Sequence, residues 1–245
     1  MQRFLVLVYG VLSYVIFFAT FVYAIGFVGN LWVPKSIDSV PQAPFAQALL
    51  INLGLLALVA VQQGLMARPS FKRWLVRFLP KAAERSSCVL ISSLALIVLF
   101  RFWEPMGGVV WDITDETSQI LMHSVFFFGW FMLLACTFLI DHFDLFGLRQ
   151  VWRNLCKQAH QELPFLTPFV SKLVRRPLYL GWLFAFWATP TMTAAHLLFA
   201  IATTAYIFIL IQFEERDMDQ RCATNPNAGV ALAAMGLVLP WIHRG

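Results

Sequence analysis

VRRPLYLGWLFAFWATPTMTAAHLLFAIATTAYIFILIQFEERD, residues 174–217, is the stretch whose reading decides the fold. Its apolar part, Leu178 to Phe213, is long enough for two membrane passes, since one crossing takes about 20 apolar residues. It is broken at Thr189-Pro190-Thr191. Proline has no amide proton and its ring clashes with the preceding turn, so Pro190 is expected to end one helix, while Thr191 or Thr193 caps the next. The reading is a Pro-broken helical hairpin, 178–188 and 192–213. Its first arm is short for a full crossing, which puts irregular backbone at membrane depth, tolerated only where protein or an aqueous cavity surrounds it. Pro177 is expected at the first turn of that arm, where a missing amide proton costs nothing.

Outward from the hairpin, four further segments have spanning length: 4–28, 45–66, 87–103 and 120–140. The expected fold is therefore an all-α integral membrane protein with about five to six transmembrane helices. Composition agrees. Of 245 residues, 60% are apolar and 13% charged, with a mean hydropathy of +0.71. Soluble domains run roughly 45–50% apolar and about 25% charged. The first apolar run is too long for a secretory signal core, and no small-x-small cleavage site follows it. Cys88, Cys136, Cys156 and Cys222 are widely spaced, without the C-x-x-C pattern of a zinc site or the density of a disulfide framework.

The net charge of +5 does not point to nucleic acid, because the basic residues flank apolar runs instead of forming one patch. Arg68, Lys72, Arg73, Arg77, Lys81 and Arg85 follow the second helix; Arg149, Arg153, Lys157, Lys172, Arg175 and Arg176 follow the fourth. The linker between carries Glu104, Asp112, Asp115 and Glu116 with no Lys or Arg after Arg101. The positive-inside rule then puts both basic linkers and both termini in the cytoplasm. Phe71, Trp74, Leu75 and Phe78 in segment 67–86, and Leu145, Phe146, Leu148, Val151, Trp152 and Leu155 in segment 141–177, are spaced for interfacial helices. The chain reads as one membrane domain: a four-helix part at 1–140, a cytoplasmic linker at 141–177, the hairpin at 178–217 and a distinct segment at 218–245.

Polar chemistry gathers where the hairpin meets the cytoplasm. Arg175, Arg176 and Tyr179 stand at one arm; Gln212, Glu214, Glu215, Arg216 and Asp217 end the other. Arginine holds a carboxylate through paired charge-assisted hydrogen bonds, and adjacent glutamates hold a ribose or an ammonium or accept a proton. A juxtamembrane Arg–Glu network that merely anchors the hairpin reads equally from these residues. Asp141-His142-Phe143-Asp144 suits either a helix cap with dipole pairing, a metal site, or the border of a substrate entrance. His123 and His196 fall at similar depth, as an axial haem pair would, or are separate packing histidines.

VRRPLYLG, an apolar arm, a Pro-centred turn and then EERDM together resemble the S-adenosylmethionine-binding hairpin of the isoprenylcysteine carboxyl methyltransferase superfamily, with its R-H-P-x-Y-x-G run and terminal E-E-R. YAIGFVGNLWVPKSIDS, MARPSFKRW, PKAAERSS, FLIDHFDLFGLRQVW and FWATPTMTAAHLLFA look like the bacterial methanethiol S-methyltransferases, a branch neighbouring the NnrU-type membrane proteins. The resemblance covers about residues 1–218. It implies S-adenosyl-L-methionine as methyl donor, a small thiol as substrate, membrane lipids as surroundings, and no protein partner. Arg175 would bind the donor's carboxylate beside Arg176 and Pro177, Tyr179 and the Gly181 backbone would shape the adenosine pocket, and Glu214 or Glu215 would contact ribose or ammonium, with Glu214 and Arg175 nearest the chemistry. His142 and Gln63 would border the thiol. No metal is implied. The resemblance points to methanethiol as that thiol and dimethyl sulfide as product; methylation of another thiol or a lipid-linked thiol, and a non-catalytic relative of the NnrU type, are the alternative expectations.

Three departures from the pattern stand out. Arg176 replaces the family's histidine, and Gln63 replaces a histidine in the second helix. The tail DQRCATNPNAGVALAAMGLVLPWIHRG replaces a tyrosine-bearing segment with a Gly/Ala-rich apolar run, about 228–242.

Overall fold

The computed structural model describes residues 2–156 and 168–224. Along the chain these form α1 (Gln2–Gly29), α2 (Phe45–Ala67), α3 (Pro69–Leu75), a 3-10 turn (Lys81–Ala83), α4 (Glu84–Phe102), β1 (Val109–Asp112), α5 (Glu116–Ile140), α6 (His142–Leu145), α7 (Leu148–Leu155), α8 (Pro168–Trp187), β2 (Thr191–Thr193) and α9 (Ala194–Thr224). Among the described residues five helices, within α1, α2, α4, α5 and α9, are long and apolar enough to cross a membrane, and Pro177–Trp187 is a shorter apolar helical piece. The protein is an all-α integral membrane protein. Large side chains such as Phe131, Leu139, Leu50 and Val61 are exposed around the bundle, as lipid contact demands. The tail from 225 onward lies outside the described residues.

Local chemistry sets the ends. The Asp115 side chain accepts from the Ser118 amide at 2.9 Å, so α5 starts four residues before the expected 120. Those Ser118 hydrogen bonds hold the Asp115 carboxyl below the usual carboxylate range. The expected interfacial helices are present as α3, with Phe71 and Trp74 packed ring to ring, and as α7. Asp141, at φ 93°, ends α5 in the left-handed region, and its side chain accepts from the Asp144 amide to start α6.

The hairpin differs from the expectation in two ways. Its first arm begins at Pro168, so Pro177 lies inside α8 and not at its first turn. Pro168 takes the first helical position, where proline is at home. Pro177 then withholds an amide from the Leu173 carbonyl four residues back, leaving that acceptor without its helical partner. Secondly, the turn is not a bare loop. Residues 191–193 pair antiparallel with β1, with Val109 opposite Thr193, Trp111 opposite Met192 and Asp112 opposite Thr191. Thr191 Oγ1 donates to Asp112 Oδ1 at 2.7 Å, and the Ile113 amide donates to the Pro190 carbonyl at 3.0 Å. Thr193, as expected, caps α9: its Oγ1 accepts from the His196 amide at 3.3 Å.

The core runs through Phe27, Leu99, Phe100, Trp103, Phe126, Trp130, Phe186 and Phe199, drawn from α1, α4, α5, α8 and α9. Asn52 on α2 is fully buried and clasps Glu104 beyond α4, giving a hydrogen bond to its carbonyl at 2.6 Å and taking one from its amide at 2.9 Å. The two arms of the hairpin meet near the turn, through Phe186 and Phe199 with centroids 5.0 Å apart and Trp187 Nε1 donating to Thr204 Oγ1 at 2.9 Å. Lower on α8 the neighbour is α5. Gly129 and Gly181 face each other so closely that a Cβ on Gly129 would stand 2.8 Å from the Gly181 carbonyl oxygen.

Candidate functional site

The bundle has a basic side, bearing α3, α6 and α7, and an acidic side, bearing β1 and β2. The candidate residues of the hairpin belong to the basic side. Arg175 and Arg176 lie on the backbone of α8, Glu214 and Glu215 on that of α9. The side chains of these four fall outside the described residues. Pro177 and Tyr179 are half-buried, and Gly181 is buried. The space freed by the absent side chain of Gly181 is filled by α5: a Cβ there would stand 3.1 Å from the Gly129 carbonyl oxygen and from Leu133. Gly181 therefore brings two helices together, where the sequence suggested approach of a ligand to its backbone.

His142 sits inside a packed cluster, only 2% exposed. Its ring stacks on Phe138 at 4.4 Å and meets Tyr14 and Phe146 edge-on. Thr137 Oγ1 gives its hydrogen to the Leu134 carbonyl at 2.7 Å, so it accepts from His142 Nδ1 at 2.8 Å. Nε2 is then the acceptor for the Tyr14 hydroxyl at 2.8 Å. The imidazole is neutral, and burial holds it below the usual histidine range. On either side, Asp141 pairs with Arg149, and Asp144 with Arg85 at 3.1 Å. These pairs tie α6 to α7 and to the start of α4. Gln63 is half-buried on α2, while its neighbour Gln62 donates to Ser92 Oγ on α4 at 3.2 Å. Among the described residues no group of three or more His, Cys, Asp or Glu comes together.

On the acidic side the structure joins residues that the sequence does not connect. Asp38, in the loop after α1, accepts from Asn30 Nδ2 at 2.6 Å and from Thr193 Oγ1. His196 Nδ1 donates to Asp38 Oδ2 at 3.1 Å, and its Nε2 donates to the Phe186 carbonyl at 3.0 Å. Burial pushes the Asp38 carboxyl up, but the hydrogen bond and charge of His196, with the bonds from Thr193 and Asn30, hold it below the usual range. With both nitrogens engaged, His196 has none for a haem iron. His123 Nδ1 bonds the Gln119 carbonyl at 2.8 Å, a helix-packing contact.

Mid-depth, Trp130 is 4% exposed, and among the described residues its indole Nε1 has no hydrogen-bond partner. Four rings surround it: Phe21 at 5.3 Å, Trp182 at 5.8 Å, Phe126 at 6.2 Å and Phe186 at 6.4 Å between centroids. The signal that could have found it is a repeated dipeptide. Gly129-Trp130 on α5 and Gly181-Trp182 on α8 are the same pair, and the glycines are the crossing point.

The chain is 49% identical over 218 residues to "Methanethiol S-methyltransferase" of Crocosphaera subtropica, covering 89% of this chain and 86% of that protein. It is 50% identical over 216 residues to "Methanethiol S-methyltransferase 2" of Bradyrhizobium diazoefficiens, covering 88% and 83%. To "Methanethiol S-methyltransferase" of Mycobacterium tuberculosis it is 44% identical over 244 residues, covering 100% of this chain and 99% of that protein, so this match runs through the C-terminal segment as well. No family model and no solved structure matches the chain. At these identities and coverages, the chain is a membrane methyltransferase and belongs to the methanethiol S-methyltransferase family.

Proposed function

We propose that this protein methylates methanethiol to dimethyl sulfide with S-adenosylmethionine as donor, at the cytoplasmic face of a bacterial inner membrane. The observation that carries the reading is the identity of 44–50% to three proteins named for that substrate, over 83% or more of their lengths. The orientation rests on the charge of the linkers, which faces the basic side toward the cytoplasm.

S-adenosylmethionine supplies a methyl on a positively charged sulfur: the thiol's lone pair makes the new carbon–sulfur bond, the old bond's electron pair returns to the donor sulfur, and the thiol proton leaves to water. The rest of the work belongs to the chain's residues. Arg175, with Arg176 beside it, would hold the donor's carboxylate, Glu214 or Glu215 its ammonium or ribose, and Tyr179 the adenosine. Spacing supports this assignment. From the Phe186–Phe199 contact, Arg175 lies about eleven residues down one arm and Glu214 about fifteen down the other. At about 1.5 Å per residue the two levels differ by roughly one helical turn along their respective arms. Small thiols lose their proton reluctantly near neutral pH, and a nearby guanidinium favours the thiolate. His142, neutral and enclosed, and Gln63 are no part of this assignment.

Replacing Arg175 or Glu214 by Ala should lower dimethyl sulfide release from methanethiol-fed cells at least tenfold. S-adenosylhomocysteine binding in detergent, read by calorimetry, should weaken in parallel. Wild-type release from both variants would refute the assignment, and absence of binding and methylation by the wild-type chain would refute the function.

A further inference from the structure

We propose that the Trp130 indole is the thiol-binding donor of this enzyme: its Nε1–H holds the substrate sulfur, and the rings of Phe21, Phe126, Trp182 and Phe186 enclose the methyl group. The inference rests on the proposed function and names the residue that recognises its substrate.

A buried donor without a partner is uncommon and costs about 1–3 kcal/mol, so Nε1, unpartnered among the described residues, is a donor that an acceptor would satisfy. Position restricts what that acceptor is. Trp130 lies near the middle of α5, in a segment that crosses the membrane, out of reach of bulk water. At 4% exposure it is also closed to lipid carbonyls. The partner must be small, able to pass through hydrocarbon, and equipped with a weak acceptor. A short alkyl thiol has these properties. Its sulfur takes an N–H, and sulfur packs favourably against aromatic rings at about 5 Å. The same rings favour the positive charge of a sulfonium brought near them.

The location also fits the reaction. Trp130 and Trp182 each follow the glycine of the α5–α8 crossing, and Trp182 stands three residues beyond Tyr179 of the VRRPLYLG stretch. At about 1.5 Å per residue that is less than one turn on the membrane side of Tyr179, and about two turns from Arg175. A thiol arriving through lipid and a charged donor arriving from the cytoplasm would meet there.

The test is Trp130→Phe in the full chain, in detergent, with three readouts. The KM for methanethiol should rise about tenfold, the worth of one hydrogen bond. The maximal rate and the S-adenosylhomocysteine affinity should stay within twofold of wild type, the latter certifying the fold. Methanethiol alone should shift the near-ultraviolet indole edge of the wild-type protein, and ethane, an isostere without an acceptor, should not. An unchanged KM in Trp130→Phe, or no indole shift in the wild type, overturns the proposal while leaving the function standing. A wild-type chain that neither binds S-adenosylhomocysteine nor methylates methanethiol overturns both. If Trp130→Phe misfolds, the wild-type spectral comparison decides alone.

Discussion

Replacing Gly129 by Ala tests the helix crossing on which the candidate site is built. A Cβ at Gly129 would lie 2.7 Å from the Ala185 amide nitrogen, 2.8 Å from the Gly181 carbonyl oxygen and 2.9 Å from Phe184 Cβ. Two of the three are backbone atoms that cannot rotate aside. Ordinary contact begins at about 3.4 Å, so α5 and α8 must part by about 0.7 Å along their tightest stretch. Overpacking of this kind costs about 1–3 kcal/mol. For a chain of this size that is a fall in Tm of about 2–12 °C, readable by tryptophan fluorescence during thermal unfolding in detergent. Gly64→Ala on α2 is the control, since its Cβ would meet nothing within 4 Å. There the helix preference of alanine over glycine should leave Tm unchanged or raise it. A Gly129→Ala protein that melts with wild type would refute the close crossing, and with it the placement of Trp130 beside Trp182.

Two further outcomes follow from the polar clusters. Asp38→Asn removes the carboxylate that meets His196 Nδ1 at 3.1 Å. Breaking a buried pair from one side costs about 3–5 kcal/mol, so Tm should fall by at least about 6 °C, and Asp38→Asn/His196→Phe should recover part of that loss. Because the Asp38 carboxyl is held below its ordinary range, its contribution is present above about pH 4 and disappears on further acidification; an Asp38→Asn variant as acid-sensitive as wild type would count against the clasp. His142 has the opposite chemistry but the same sign. Its imidazole is held neutral, below the usual range near 6.5, so the stability it supplies is complete above that pH and declines as pH falls through it. Melting at pH 8 and pH 5.5 should differ more for wild type than for His142→Gln, and equal differences would exclude His142 as the titrating group.

The spanning helices were legible because lipid imposes a length and a composition on each of them, and the charge of the linkers gave a consistent topology. The register of α8 was not. Pro168 and Pro177 are both able to open a helix, and the sequence following Pro177 is the more apolar, which drew the expected start ten residues too late. The β1–β2 pairing was hidden because strands of four and three residues show no alternation, and about 80 positions separate the partners. Residues that meet over long separations escaped for the same reason, as Asp38 and His196 show. Trp130 escaped differently: within FFFGWF it reads as one more lipid-facing aromatic, and only packing reveals that its indole is enclosed.

The ribbon between 109–112 and 191–193 also governs the order in which the molecule is completed. Its first strand emerges from the ribosome long before its partner, and until then its row of amides and carbonyls is an unfinished edge. The hairpin that carries the family motif is what finishes it. A chain stopped before Thr191 would have every other long apolar helix in place and still present an open seam on its acidic side, so quality control at the membrane has a physical mark by which to tell a truncated copy from a whole one.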